Sequence, residues 1–108
     1  MTEDVIQIFK EYEQTGTRPW TAETAVKDLS YQVGSLMKAY MQLSGDRYRE
    51  SKTDDELKKI IGDECADICA EVLFIAFKLN IDFEKAWQVM KASDTGKIKE
   101  RLNENSKK

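Results

Sequence analysis

Apolar residues recur along this chain at helical rather than strand spacing, and the breaks between the periodic stretches mark out the helices. The first stretch carries Val5, Ile6, Ile8, Phe9 and Tyr12 behind Thr2, a candidate cap, with Glu3 and Asp4 in its opening turn. Thr15-Gly16-Thr17-Arg18-Pro19 ends it, and Trp20 is expected to anchor the turn. A second helix is predicted from Thr21 to about Leu43, stopped by Ser44-Gly45. Ala22, Val26, Leu29, Val33, Leu36, Tyr40 and Leu43 alternate at coiled-coil intervals within it, predicting a seam against another helix. Gln32 flanks that seam, Ser35 lies further round the same side, and Lys38 points away. Residues 44–52, with Arg47, Tyr48 and Arg49, read as a solvated connection. Thr53 and Glu56 then form a capping box that opens the third and longest helix, predicted to end near Leu79-Asn80. Asp82 caps a fourth, whose buried face is predicted to be Phe83, Ala86, Trp87 and Met90. Asp94-Thr95-Gly96 is expected to interrupt before a last basic turn, leaving residues 103–108 disordered.

With no strand and no repeat, the pattern predicts an all-α antiparallel helical bundle of two long and two or three short helices. The expected division is a single domain over 1–103 and a flexible tail over 104–108. So many amphipathic helices in so short a chain leave apolar surface to cover, which predicts a homodimer or higher homo-oligomer.

One stretch breaks the amphipathic logic. Residues 63–79, DECADICAEVLFIAFKL, place acids where a core should be. At helical pitch Leu57, Ile60, Ile61, Ile68, Ile75 and Leu79 fall within about 60° of Glu64. Glu71 lies inside the same arc and Asp67 on its flank, while Leu73 is on the opposite side, so more than one face is expected to be covered. A carboxylate in an apolar stripe costs roughly several kcal/mol unless a cation, a metal or hydrogen-bond donors compensate. Glu64 and Asp67 stand at i, i+3, and Asp67 and Glu71 at i, i+4, each pair close enough to cooperate. Such hard oxygen ligands suit Mg²⁺ or Mn²⁺. Ion pairing with Lys or Arg of another helix is the equally open alternative.

Composition removes several chemistries. Histidine is absent, which excludes His-based acid–base and nucleophile pairs. Cys65 and Cys69, one turn apart, are expected to be small buried hydrophobes. Seventeen basic and twenty acidic residues give a charge of −3, so nucleic acid is not an expected partner. No stretch is apolar enough to span a membrane and the opening MTEDVIQIFK is acidic, so the expected location is cytoplasmic.

Residues 20–101 resemble the MazG-like branch of the all-α nucleotide pyrophosphohydrolases. Glu64-Cys65-Ala66-Asp67 fits the Glu-x-x-Asp motif of that family, and VLFIAFKLNIDFEKAW is similar to the apolar run, turn and helix that follow it. LSYQVGSLMKA resembles the framework of the first motif, Glu-Glu-x-x-Glu, but Tyr31 and Gln32 stand at its Glu-Glu positions and Ser35 at its last Glu. The resemblance implies a Mg²⁺-dependent hydrolase that converts a nucleoside triphosphate to the monophosphate and pyrophosphate. It implies Glu64 and Asp67 as metal ligands and catalytic residues. Gln32 and Ser35 would orient water or metal-bound water, and Lys91, Asp94 and Lys97 would contact substrate. Glu71 has no family role, and is a further candidate for the metal on its place in the stripe alone. The missing acids of the first motif open two expectations: an enzyme with a reduced acid set, or a relative that keeps the fold for nucleotide binding or dimeric assembly without turnover.

Overall fold

The computed structural model describes residues 1–16 and 18–107. Thr17, in the predicted break, and Lys108, in the predicted tail, lie outside the described residues. Four helices follow one another: α1 Thr2–Gln14, α2 Ala22–Ser44, α3 Asp54–Lys78 and α4 Phe83–Ser106. No strand occurs among the described residues, and no helix of the described chain is long and apolar enough to cross a membrane.

The caps carry most of the boundary information. Thr21 accepts a bond from Thr24 N–H (3.1 Å), Thr53 from Glu56 N–H (3.2 Å) and Asp82 from Lys85 N–H (3.1 Å), satisfying donors that each first turn leaves free. Gly45 closes α2 at φ 89°, and Asn80 follows α3 at φ 56°. The Thr2 cap is not formed: Met1 occupies that position without a side-chain bond, and Thr2 is already helical. The connection between the long helices is less solvated than its composition suggests. Arg49 donates to Gln42 O (3.1 Å) and Leu43 O (3.0 Å) at the end of α2 and pairs with Asp54 at the start of α3. A cation there meets the negative end of one helix dipole and an acid at the positive end of the next. Glu50 lies between Lys38 (3.5 Å) and Lys52 (3.4 Å), whose charges, Lys38 foremost, hold its carboxyl below the usual range.

The long helices α2 and α3 form the principal packed pair, and α1 lies across α3. Val5, Ala25, Leu73 and Phe74 make the main core, with Phe9, Trp20, Ala70 and Ile75 packed on it. Phe9 stacks on Phe74 at 4.0 Å between ring centroids and meets Trp20 at 5.6 Å, which makes Trp20 the anchor its position predicts. Leu73 takes part in this core with Val5 of α1, so α3 is covered on more than one face, as the pattern requires.

Three expectations are corrected by the packing. The α2 seam divides: Ala22, Leu29, Leu36 and Leu43 are half-buried, whereas Val26, Val33 and Tyr40 are exposed. Its buried members are instead Ala25, Ala39 and Gln42. Two alanines permit close approach of the helices, and the Gln42 amide is satisfied by Tyr48 O at 3.0 Å, so the polar side chain is buried at little cost. Cys65 and Cys69 are exposed rather than buried, although Cys69 Sγ lies 4.0 Å from Met1 Sδ.

The third correction concerns α4. It continues through Asp94-Thr95-Gly96 to Ser106, beyond the predicted interruption and into the predicted tail. Thr95 turns its hydroxyl back onto Lys91 O (2.8 Å), and an isolated helical glycine costs only about 1 kcal/mol, so neither residue breaks the helix. No residue of α4 is buried, including Phe83, Ala86, Trp87 and Met90, since α4 meets only α3 and leaves it near Asp82. The radius of gyration of 18.6 Å exceeds the roughly 13 Å of a compact domain of this size, the signature of a helix that extends away.

Candidate functional site

The rotation of α2 decides which polar groups meet. Once Ala25 and Ala39 face α3, the residues between them on that side are Asp28, Gln32 and Ser35, all half-buried. From α3 come Glu71 and Asp67, which line one cleft with Asp28 and Gln32, and Glu64 stands one turn before Asp67. Gln32 Nε2 donates to Asp28 Oδ2 (3.3 Å), and Asp28 stands within hydrogen-bond reach of the Glu71 carboxyl. Two carboxyl groups can share a hydrogen bond only if one carries a proton.

Glu71 is that proton's place. It is 5% exposed, and its Oε2 has no hydrogen-bond partner. Burial, then the hydrogen bond and negative charge of Asp28, then the charge of Asp67, push its pKa up to about 8. Glu64 is half-buried, also has an unpartnered Oε2, and is raised by burial first and by the charges of Asp67 and Asp63 second. Among the described residues, the ion pairs involve neither acid, nor Asp67 or Asp28. Among the described residues, the alternative in which Lys or Arg of another helix neutralises the stripe is therefore not realised.

A cleft of about 530 Å³ opens over these groups. Ile8, Phe9 and Tyr12 of α1 form one wall with Trp20, and Asp28, Gln32, Asp67, Ala70 and Glu71 form the other, with Glu13 and Arg18 also lining it. Of the residues singled out by sequence, Gln32, Asp67 and Glu71 are brought together here. Glu64 and Ser35 lie outside the lining, although Glu64 is one helical turn from Asp67. Lys91, Asp94 and Lys97 are exposed on α4 and contribute nothing to the cleft of their own chain.

Asp28 was not legible as a site residue, because the heptad reading of α2 left it off the buried seam. The signal available was its i, i+4 relation to Gln32. Arg18, Tyr12 and Glu13 enter only because α1 folds over α3.

As a metal site the arrangement is incomplete. Among the described residues no three His, Cys, Asp or Glu side chains are grouped so that they could hold an ion. Glu64 and Asp67 alone suit Mg²⁺ in the manner of an ion that keeps waters and takes its remaining ligands from phosphates. The orphaned Oε2 of Glu64 is compatible with such a role. No protein-family model matches the chain, and neither the curated proteins nor the solved structures yield a match.

Proposed function

We propose that this chain is a MazG-like nucleotide-binding protein with a curtailed metal site, which takes up a nucleoside triphosphate together with Mg²⁺ and turns it over slowly or not at all. The observation that carries the reading is the pair Glu64 and Asp67, i, i+3 acids on α3 that no cation pairs with among the described residues, beside an α2 segment in which Gln32 and Ser35 stand where the resembled motif has carboxylates. Glu64 and Asp67 are the residues that would hold the ion. When bound, Mg²⁺ screens phosphate charge and makes a bound water more acidic. Gln32 contributes a neutral amide that is already engaged with Asp28, so it can orient water but adds no charge. Without metal, the acids repel a polyphosphate.

Calorimetry with a panel of nucleoside triphosphates, with and without Mg²⁺ or Mn²⁺, tests this reading alongside a pyrophosphate-release assay. Binding that requires the metal and is lost in Asp67→Asn is expected. Absence of binding under every condition would refute it, and rapid metal-dependent pyrophosphate release, far above the Asp67→Asn background, would show a fully working enzyme instead.

A dimeric interaction module is the second reading, favoured by α4. Its Phe83, Trp87, Met90 and Ile98 are all exposed and share one side of the helix at helical spacing. Val26, Val33, Met37 and Tyr40 form a second uncovered apolar row on α2. A second copy would cover both. Sedimentation at micromolar concentration should give a dimer that Trp87→Glu dissociates; a wild-type monomer would exclude this reading.

A further inference from the structure

The cleft beside α1 carries Asp28, Glu71 and an aromatic wall, none of which the nucleotide reading uses as a ligand. Its acids are Glu13, Asp28, Asp67 and Glu71, against a single cation, Arg18. Its other wall is aromatic, and Tyr12 is 62% exposed, leaving ring surface free. The acidic wall includes Glu71, which is 5% exposed and whose Oε2 has no hydrogen-bond partner. A buried acceptor without a partner is destabilising, so a ligand that supplies a donor there gains twice, by its own bond and by removing the deficit.

The chemistry narrows the class of ligand. An anion meets more negative than positive charge. A neutral apolar molecule would bury the acids further and satisfy none of them. A bare divalent ion lacks three converging ligands among the described residues. An organic cation with a flat apolar body answers both walls, donating to the carboxyl oxygens and lying against aromatic rings. A volume of about 530 Å³ is within the range of small-molecule sites.

We propose that the cleft between α1 and the α2–α3 pair binds a planar organic cation of the amidinium or guanidinium class, its N–H groups on Asp28 and Glu71 and its flat body against Tyr12 and Trp20. The forked donors of such a cation match two adjacent carboxyl groups better than a single ammonium point charge does. The site shares Asp67 with the proposed nucleotide site but rests on Asp28 and Glu71, which that reading does not use, so variants at those two residues and Asp67→Asn test the two readings separately.

Benzamidinium is the probe and benzamide its neutral counterpart of nearly equal shape. The chain has two tryptophans, Trp20 at the cleft and Trp87 on α4, so the indole N–H signals in an NMR titration report site and background separately. Benzamidinium should move the Trp20 signal saturably, and benzamide should bind at least about 10-fold more weakly. Asp28→Asn with Glu71→Gln should lower benzamidinium affinity about 10-fold or more. Glu71→Gln alone, which keeps the side-chain shape, should give a smaller loss in a protein whose amide spectrum remains that of the folded state. Equal affinity for the two probes, a response at Trp87 in place of Trp20, or binding unchanged in both variants would overturn the proposal. So would the absence of any shift at about 10 mM probe.

Discussion

Replacing Glu71 by Gln probes the buried acid directly, because the two side chains have nearly the same shape and differ in what they do with a proton. The folded state holds this carboxyl at about 8 against an ordinary value of 4.5. Between those values the folded chain binds a proton that the unfolded chain has released. Unfolding free energy therefore falls as pH rises through that window, is fully retained below about 4.5 and is lost above about 8. The difference corresponds to a ceiling of roughly 5 kcal/mol, at about 1.4 kcal/mol per pH unit. Water entry around the ionised group lowers the realised value, and a fall of about 2 kcal/mol is enough for detection. Urea titrations followed by circular dichroism at fixed protein concentration should show the wild-type midpoint dropping from pH 5 to pH 8.5. Glu71→Gln should nearly match wild type at pH 5 and exceed it at pH 8.5. Its residual slope should be small and attributable to Glu64, whose carboxyl is raised in the same direction. Parallel profiles for the two proteins would refute the assignment of the proton to Glu71.

The Arg49 side chain closes two helix ends at once, so Arg49→Ala should cost about 1–3 kcal/mol in urea denaturation, and Arg49→Lys should recover little because it lacks the fork. Leu57, fully buried at the far end of the α2–α3 pair, should lose about 2–5 kcal/mol when cut to Ala, measured the same way. Both thiols should react with a chromogenic disulfide reagent in the native protein at rates near those of the unfolded chain, and protection of either would contradict their exposure.

The ends of the helices were written locally. Thr21, Thr53 and Asp82 bond the N–H three residues on, and Gly45 and Asn80 adopt left-handed backbone, so neighbours in sequence settled these boundaries before any packing existed. The acid-bearing stripe of α3 was equally legible, because the position of Glu71 among Leu57, Ile60, Ile61 and Ile75 follows from helical pitch alone. What spacing could not supply was rotation and company. Coiled-coil intervals on α2 are satisfied by more than one face, and the choice of Ala25, Ala39 and Gln42 over Val26, Val33 and Tyr40 depends on how closely α3 approaches. That choice brought Asp28 onto Glu71 and hid it from a reading of either helix separately. The apolar side of α4 likewise has correct periodicity, yet the described chain buries none of its residues. Periodicity specifies that a face is apolar; only the fold specifies what, if anything, lies against it.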